Sequence, residues 1–145
     1  MRKSILAMLG AITVVSSVPA MAQDSAVKPG PLWNVSRIDV LDGKFEDYMD
    51  FLTKTWADNQ AFAKSQGWIL DYHILDNINA RDGEPDIILI TRFADYVPVA
   101  ELERRNAIMN KRMNQTDRTA DQASGARGVM RKLMGNVMYR ELVKR

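Results

Sequence analysis

The chain has 145 residues, no cysteine, one histidine, and 20 basic against 18 acidic side chains. The lack of cysteine excludes disulfide bonds, thiol catalysis and thiolate metal centres, so stability must come from packing and from association. A formal charge of +2 gives no indication that nucleic acid or an anionic membrane surface is a partner.

Residues 1–22 have the three parts of a secretory signal peptide. Residues 2–3 are Arg-Lys, residues 5–18 form an uncharged apolar run, and residues 20–22 are Ala-Met-Ala, as a signal peptidase prefers. The apolar run is shorter than the about 20 residues that a membrane-spanning helix needs. We therefore expect cleavage before Gln23 and a periplasmic or secreted protein.

Cleavage changes the charge balance of the chain. Both charged residues of the leader are basic, so the mature protein keeps 18 basic and 18 acidic side chains. Its 123 residues are enough for one domain with a buried core. Residues 23–31 are polar and rich in proline and glycine, which predicts a flexible segment before a single domain over 32–145.

A strand and a helix are predicted next. Residues 32–40 are rich in β-type side chains and end at Asp42-Gly43. From Lys44 onward, apolar residues recur at the spacing of one helix face, and Gly67 ends the pattern. The apolar positions are Phe45, Tyr48, Met49, Leu52 and Trp56.

The middle of the chain predicts a β-hairpin. Residues 68–75 and 86–93 have strand composition, and the polar stretch between them contains Asp82-Gly83. Asp95 is expected to cap a second helix that carries Pro98 in its first turn. The apolar stripe of this helix would be Val99, Leu102, Met109 and Met113.

The C-terminal third is less regular. Residues 114–128 are polar and are compatible with a helix extension, a loop or a lid. Residues 129–134 predict a short helical piece, and residues 136–143 a fourth strand. The order β-α-β-β-α-(α)-β predicts an α+β fold, a ferredoxin-like sandwich with an antiparallel sheet.

The third strand predicts association. In a two-layer sandwich one face of the sheet is exposed to solvent, so its strands should alternate apolar and polar residues. Residues 87–90 (Ile-Ile-Leu-Ile) are apolar on both faces, and a second copy of the sheet would cover the outer one. We therefore predict a homodimer with facing sheets. The alternatives are a central strand that tolerates the run, or cover by the C-terminal segment.

Three segments resemble dimeric α+β barrel proteins, a superfamily that includes antibiotic-biosynthesis-type monooxygenases. They are residues 33–40 (Trp-Asn-Val-Ser-Arg-Ile-Asp-Val), residues 43–48 (Gly-Lys-Phe-Glu-Asp-Tyr) with Trp56, and residues 83–91 (Gly-Glu-Pro-Asp-Ile-Ile-Leu-Ile-Thr). The resemblance implies a dimer with facing sheets and, in enzyme members, a pocket between the sheet and the helices of each protomer. Some members oxidise aromatic substrates without metal or flavin.

Other members of that superfamily bind haem. The haem-degrading ones use an Asn, a Trp and a histidine carried on a helix, whereas His73 falls on a predicted strand. No catalytic residue is therefore carried over from that branch. Asp82, Glu84 and Asp86 alternate without the spacing of a calcium loop, so we expect neither a cofactor nor a metal site.

His73 and Asp71 form the candidate catalytic pair. They share one face of the second predicted strand, where the carboxylate could orient the imidazole as a general base. The alternative is a structural or dimer-interface histidine. Arg92, on the third predicted strand, would bind a substrate carboxylate or phenolate, or would pair with an acidic residue across strands.

Four aromatic residues are candidates for a pocket wall, and they equally fit a core: Tyr48, Trp56, Trp68 and Tyr72. The function predicted from these features is an exported dimer that binds a small aromatic compound, as a cofactor-independent oxygenase, isomerase or lyase. The alternative is a non-enzymatic structural or stress-related dimer. A cavity in the helix–sheet layer would favour the first.

Overall fold

The computed structural model describes residues 25–145, which form a four-stranded antiparallel sheet packed with helices. The predicted signal peptide and its cleavage site lie outside these residues. The strands are β1 (Val27–Val40), β2 (Asp71–Asp76), β3 (Ile87–Phe93) and β4 (Arg131–Lys144), in the spatial order β2-β3-β1-β4. The helices are α1 (Phe45–Phe51), α2 (Ala57–Ser65), α3 (Val99–Arg112) and α4 (Asp117–Ala126).

The core lies between the first helices and one face of the sheet. Side chains of β1 and β3 alternate, so Ile38, Ile87 and Leu89 point to the same face and are buried there. Tyr48 of α1 and Leu52 complete this cluster from the helix side. The amphipathic spacing predicted from Lys44 onward therefore places its central residues against the sheet, as expected.

The long predicted helix is interrupted by a π-helical turn at Leu52–Trp56, which joins α1 to α2. The hydroxyl of Thr53 donates a hydrogen bond to the carbonyl of Met49, 2.8 Å away, beside the point where the hydrogen-bonding register changes. Gly67 has a φ of +69° and follows the last turn of α2, so the predicted stop at this glycine is correct.

Strand β1 begins at Val27, five residues earlier than predicted, so residues 27–31 are not a flexible segment. The reason is the length of β4, whose last residues pair with 27–29. Pro29 and Pro31, which suggested a loop, lie at an irregularity in this pairing between Pro29 and Leu32.

Three other local predictions are wrong. Asp95 does not cap α3, whose N-cap position is Pro98; its carboxylate instead accepts hydrogen bonds from the backbone N–H of Tyr96 and from Arg140. The predicted helix over 129–134 is a single 3₁₀ turn, Arg127–Val129, followed directly by β4. The second strand starts at Asp71 rather than at Trp68, while the β2–β3 hairpin is confirmed.

The other face of the sheet carries a partly exposed apolar surface, called here the open face. Register and alternation place Val35 of β1, Ile88 and Ile90 of β3, Leu75 of β2 and Val137 of β4 on it. Leu75 and Val137 are 44% and 40% exposed. The apolar run on both faces of β3 is therefore real, and only one of its faces is buried by the helices packed on this sheet.

Candidate functional site

A cavity of about 450 Å³ lies between the sheet and helices α2 and α3. Its floor is formed by residues of β1, β3 and β4 on the helix side of the sheet. Helix α3 and the loop before it form the opposite wall, and the segment after α2 closes one side. The principal lining side chains are Leu32, Asn34, Ala63, Trp68, Ile69, Thr91, Phe93, Tyr96, Leu102, Arg105, Met109 and Met138.

The sequence leaves this space open because the two helices that flank it are weakly apolar. None of the residues of α2 or α3 is buried. Where α2 faces the cavity it presents the small side chain of Ala63, and α3 contributes Leu102 and Met109 at its border. The predicted apolar stripe of α3 thus borders a cavity, and its ends, Val99 and Met113, are exposed.

Asn34 is one of two polar residues at the floor of the cavity, the other being Thr91. It lies on β1 opposite Thr91 of β3 and Met138 of β4, both of which also line the space. Its Oδ1 atom is buried and has no hydrogen-bond partner among the described residues. Because an unsatisfied buried amide is unfavourable, this side chain marks a position where a ligand can supply a partner.

Arg105 is the cation at the cavity wall, and it shares the carboxylate of Glu101 with Arg104. Its Nε donates to Oε1 of Glu101 at 2.6 Å, and its Nη1 donates to the carbonyl of Trp68 at 3.3 Å. Hydrogen bonds from Arg104 and Arg105 hold the pKa of Glu101 at about 2, so this carboxylate stays ionised. Arg105 therefore links α3 to the backbone of Trp68.

An ion pair connects Asp95, at the rim of the cavity, to Arg140 of β4. Nη2 of Arg140 donates to Oδ1 of Asp95 at 2.8 Å, and Nη1 donates to the carbonyl of Gly30 at 3.1 Å. The hydrogen bond from Arg140 lowers the pKa of the Asp95 carboxyl. Tyr96, next in the chain, is 70% exposed at the cavity mouth.

The four predicted pocket aromatics separate into two groups. Trp68 lines the cavity and packs edge-on against Phe62, with centroids 5.6 Å apart. Tyr48 is buried in the core, while Trp56 and Tyr72 contact each other edge-on at 5.8 Å. These last three lie on the helix side of the sheet but do not line the cavity.

The predicted catalytic pair lies on the open face, away from the cavity. Nε2 of His73 is 3.5 Å from Oδ2 of Asp71, and both side chains are well exposed. Lys64 donates to the other carboxylate oxygen at 2.9 Å, and this hydrogen bond is the main cause of the lowered pKa of Asp71. The pair is brought together as predicted, but it is remote from the helix–sheet layer.

Arg92 also lies on the open face, so it does not reach the cavity. Its guanidinium stacks over the ring of Trp33 at 4.7 Å, and its Nη2 is 3.8 Å from Oε2 of Glu141. The same Glu141 oxygen accepts a hydrogen bond from Nε1 of Trp33 at 2.9 Å. Of the two roles considered for Arg92, cross-strand pairing is the one that the structure shows.

The residues that sequence reasoning missed are Asn34, Arg105 and Met138. Asn34 had a usable signal, because it shares a strand face with the buried residues Leu32 and Ile38. A polar residue at such a position needs a partner. Arg105 and Met138 had no comparable signal, since their roles depend on how α3 and β4 lie against the sheet.

Within residues 25–145 there is no group of three or more His, Asp or Glu side chains placed to hold a metal ion. No helix of this part of the chain is long and apolar enough to cross a membrane. Comparison with protein-family models, with curated proteins and with solved structures finds no match for the chain.

Proposed function

We propose that this protein binds a small, uncharged and largely aromatic molecule in the cavity between its sheet and helices α2 and α3. The observation that carries the proposal is the cavity itself, with its apolar and aromatic walls and the unpartnered amide oxygen Oδ1 of Asn34 at its floor. Ligand sites are typically concave, mostly apolar, and fitted with a few convergent polar groups.

The charges at the cavity favour a neutral ligand. Arg105 is paired with Glu101, and Asp95 at the rim is paired with Arg140. A charged ligand would have to compete with, or share, a partner that each of these groups already has. A ligand that offers a hydrogen bond to the Asn34 amide and otherwise apolar surface needs no such exchange.

The strand order supports a ferredoxin-like fold. All neighbouring pairs are antiparallel and follow the order β2-β3-β1-β4, the arrangement expected when two β-α-β halves are interleaved. The partly exposed open face supports the further proposal that two copies associate through their sheets as a dimeric α+β barrel. Covering Ile88 and Ile90 in this way would remove apolar surface from water.

Catalysis is a narrower proposal than binding. An oxygenase, isomerase or lyase of the kind that the family resemblance implies would hold its aromatic substrate in this cavity. His73 and Asp71 of the same protomer lie on the opposite sheet face, so they are not placed to act on a molecule held there. We therefore propose that the cavity binds the ligand without the participation of His73 and Asp71.

Export is also part of the proposal. The leader over residues 1–22 and the charge-balanced chain that follows it support a periplasmic or secreted protein. The N-terminal residue of protein recovered from its host, measured by intact mass, tests this directly. A mature chain starting at Gln23 is expected, and a chain that retains Met1 in the cytoplasm would contradict it.

A matched pair of variants tests the binding site. Ala63→Phe fills the cavity from α2, whereas Ala61→Phe places the same ring on the exposed side of that helix. Native mass spectrometry of protein from its host identifies any bound compound, and fluorescence of Trp68 follows its titration. Binding should be lost in the first variant and retained in the second. Equal binding by both would remove the cavity from the proposal.

A structural or stress-related dimer without a ligand is the second candidate. The observation in its favour is the open face, which offers an association surface independent of the cavity. It would be supported by protein from its host that is dimeric and carries no compound, together with an Ala63→Phe variant that behaves as the parent does.

A further inference from the structure

Two arginines lie together where β4 begins, and neither has a carboxylate within 4 Å among residues 25–145. Arg131 is the first residue of β4 and is only 8% exposed. Arg127, in the 3₁₀ turn just before it, is partly buried, and its Nε has no hydrogen-bond partner. A buried guanidinium normally carries a counter-charge, so this arrangement needs an explanation.

Both guanidiniums are held over one pair of aromatic rings. The guanidinium carbon of Arg127 is 4.3 Å from the ring centroid of Phe51, and that of Arg131 is 6.0 Å from the centroid of Tyr48. The two rings are themselves stacked, with centroids 6.0 Å apart and planes inclined by 22°. Both guanidiniums thus lie against the same helix, α1, and the charge of Arg131 acts on that of Arg127.

Among the other arginines of the described chain, some have a carboxylate nearby, and some, such as Arg112, lack one but are exposed to solvent. Carboxylates lie within 4 Å of several of them, including those on β3, α3 and β4: Arg92, Arg104, Arg105 and Arg140. Burial, together with the charge of Arg131, lowers the pKa of Arg127. The faces of Phe51 and Tyr48 attract cations, but they supply no formal negative charge.

We propose that Arg127 and Arg131 form a binding site for a small oxyanion, a phosphate or carboxylate group, with the hydroxyl of Tyr48 as a third donor. Guanidinium groups bind such anions through paired N–H bonds. Burial raises the pKa of Tyr48, while Arg131 and Arg127 lower it, so the phenol lies close to both guanidiniums. The site is distinct from the cavity: Val40, which pairs with Arg131, is six residues along β1 from Asn34, or about 20 Å.

The oxyanion has two possible sources, a free ion in solution or an acidic side chain of a second copy of this chain. Both offer the same chemistry to the two guanidiniums. They differ in what happens on dilution, because a free ion binds a single protomer whereas a side chain from a second copy requires association. The experiment therefore needs one arm for ion binding and one for oligomeric state.

Calorimetric titration of the purified protein with inorganic phosphate, and separately with acetate, is the first arm. We expect saturable phosphate binding that weakens at least about tenfold in Arg127→Gln, since each charged hydrogen bond contributes strongly. Arg127→Lys keeps the positive charge but loses the paired N–H donors of the guanidinium. This variant should bind phosphate with intermediate affinity. Arg118→Gln, on the exposed surface of α4, is the matched control and should bind as the parent does.

Sedimentation of the parent and of Arg127→Gln is the second arm. Phosphate binding with unchanged association supports a free ion as the occupant. No phosphate binding, combined with weaker association in Arg127→Gln but not in Arg118→Gln, supports a carboxylate from a second copy. If neither phosphate binding nor association depends on Arg127, the site does not exist. Arg127 is used for the test because replacing the more buried Arg131 risks the fold.

Discussion

The carboxylate of Asp95 and the guanidinium of Arg140 are joined by a 2.8 Å hydrogen bond that ties β4 to the loop at the mouth of the cavity. The same arginine holds the carbonyl of Gly30 in β1. One side chain thus links two strands to the segment that leads into α3.

Asp95→Asn should loosen the loop at the cavity mouth. Because Arg140 lowers the pKa of Asp95, the ion pair stabilises the folded chain above the ordinary carboxyl range, about pH 4. Its contribution is lost as the pH falls through the lowered pKa. Backbone amides of residues 96–97 should exchange about two- to fivefold faster in the variant at pH 7, measured by hydrogen exchange. Unchanged exchange would show that the loop is held by other contacts.

Asn34→Leu should change stability and binding in opposite directions. Removing a buried amide that lacks a partner should raise the free energy of unfolding by about 1 kcal/mol. Loss of its hydrogen bond to the ligand should weaken binding about tenfold. Urea denaturation and fluorescence titration measure the two effects. Ser36→Ala, two residues along the same strand face, should leave binding unchanged.

Leu52→Ala should strongly destabilise the fold. Leu52 is fully buried in the cluster formed with Ile38, Tyr48 and Ile87, and its truncation leaves a void there. We expect a loss of about 2–5 kcal/mol in the free energy of unfolding. Leu142→Ala, at a position 66% exposed, should change it by less than about 0.5 kcal/mol. Similar losses in both variants would contradict the assignment of the core.

Ile90→Lys should dissociate the proposed dimer. The residue lies near the middle of the open face, opposite His73 of β2 and Val35 of β1, and a charge there would have to be buried between two sheets. Sedimentation at micromolar concentration should show dimers for the parent and monomers for the variant. Ile78→Lys, in the exposed turn after β2, should remain dimeric. A monomeric parent would overturn the facing-sheet arrangement.

His73→Gln should leave ligand binding in the cavity within about twofold of the parent value. Its side chain lies on the open face, on the other side of the sheet from Asn34. The comparison is made by fluorescence titration with a compound identified from the host. A large loss of affinity in a variant that remains folded and dimeric would mean that the two faces are coupled.

Periodic features of the fold could be predicted from the sequence. The spacing of Tyr48, Leu52 and Trp56 indicated a helix resting on the sheet, and the run 87–90 indicated a strand apolar on both faces. Gly67 marked the end of the helical segment. These succeed because side-chain periodicity and glycine conformations are local properties of the chain.

The boundaries and the site were harder to predict for physical reasons. Pro29 and Pro31 suggested a loop, but a long partner strand tolerates them at an irregularity in its pairing. The sequence placed His73 and Asp71 on one strand face, but it could not show where a cavity would form. That depends on the weak packing of α2 and α3, a tertiary property with no local signature.

The π-helical turn at Leu52–Trp56 sets which residues of α2 face the cavity. An α-helix rotates by about 100° per residue, and a π-helical turn accommodates an extra residue without lengthening the turn by the same proportion. Wound as uninterrupted α-helix, the same residues would leave α2 rotated by about 100° about its axis, and Ala63 would no longer face the cavity. The side chain that α2 presents to a ligand is thus set by one extra residue outside the cavity lining.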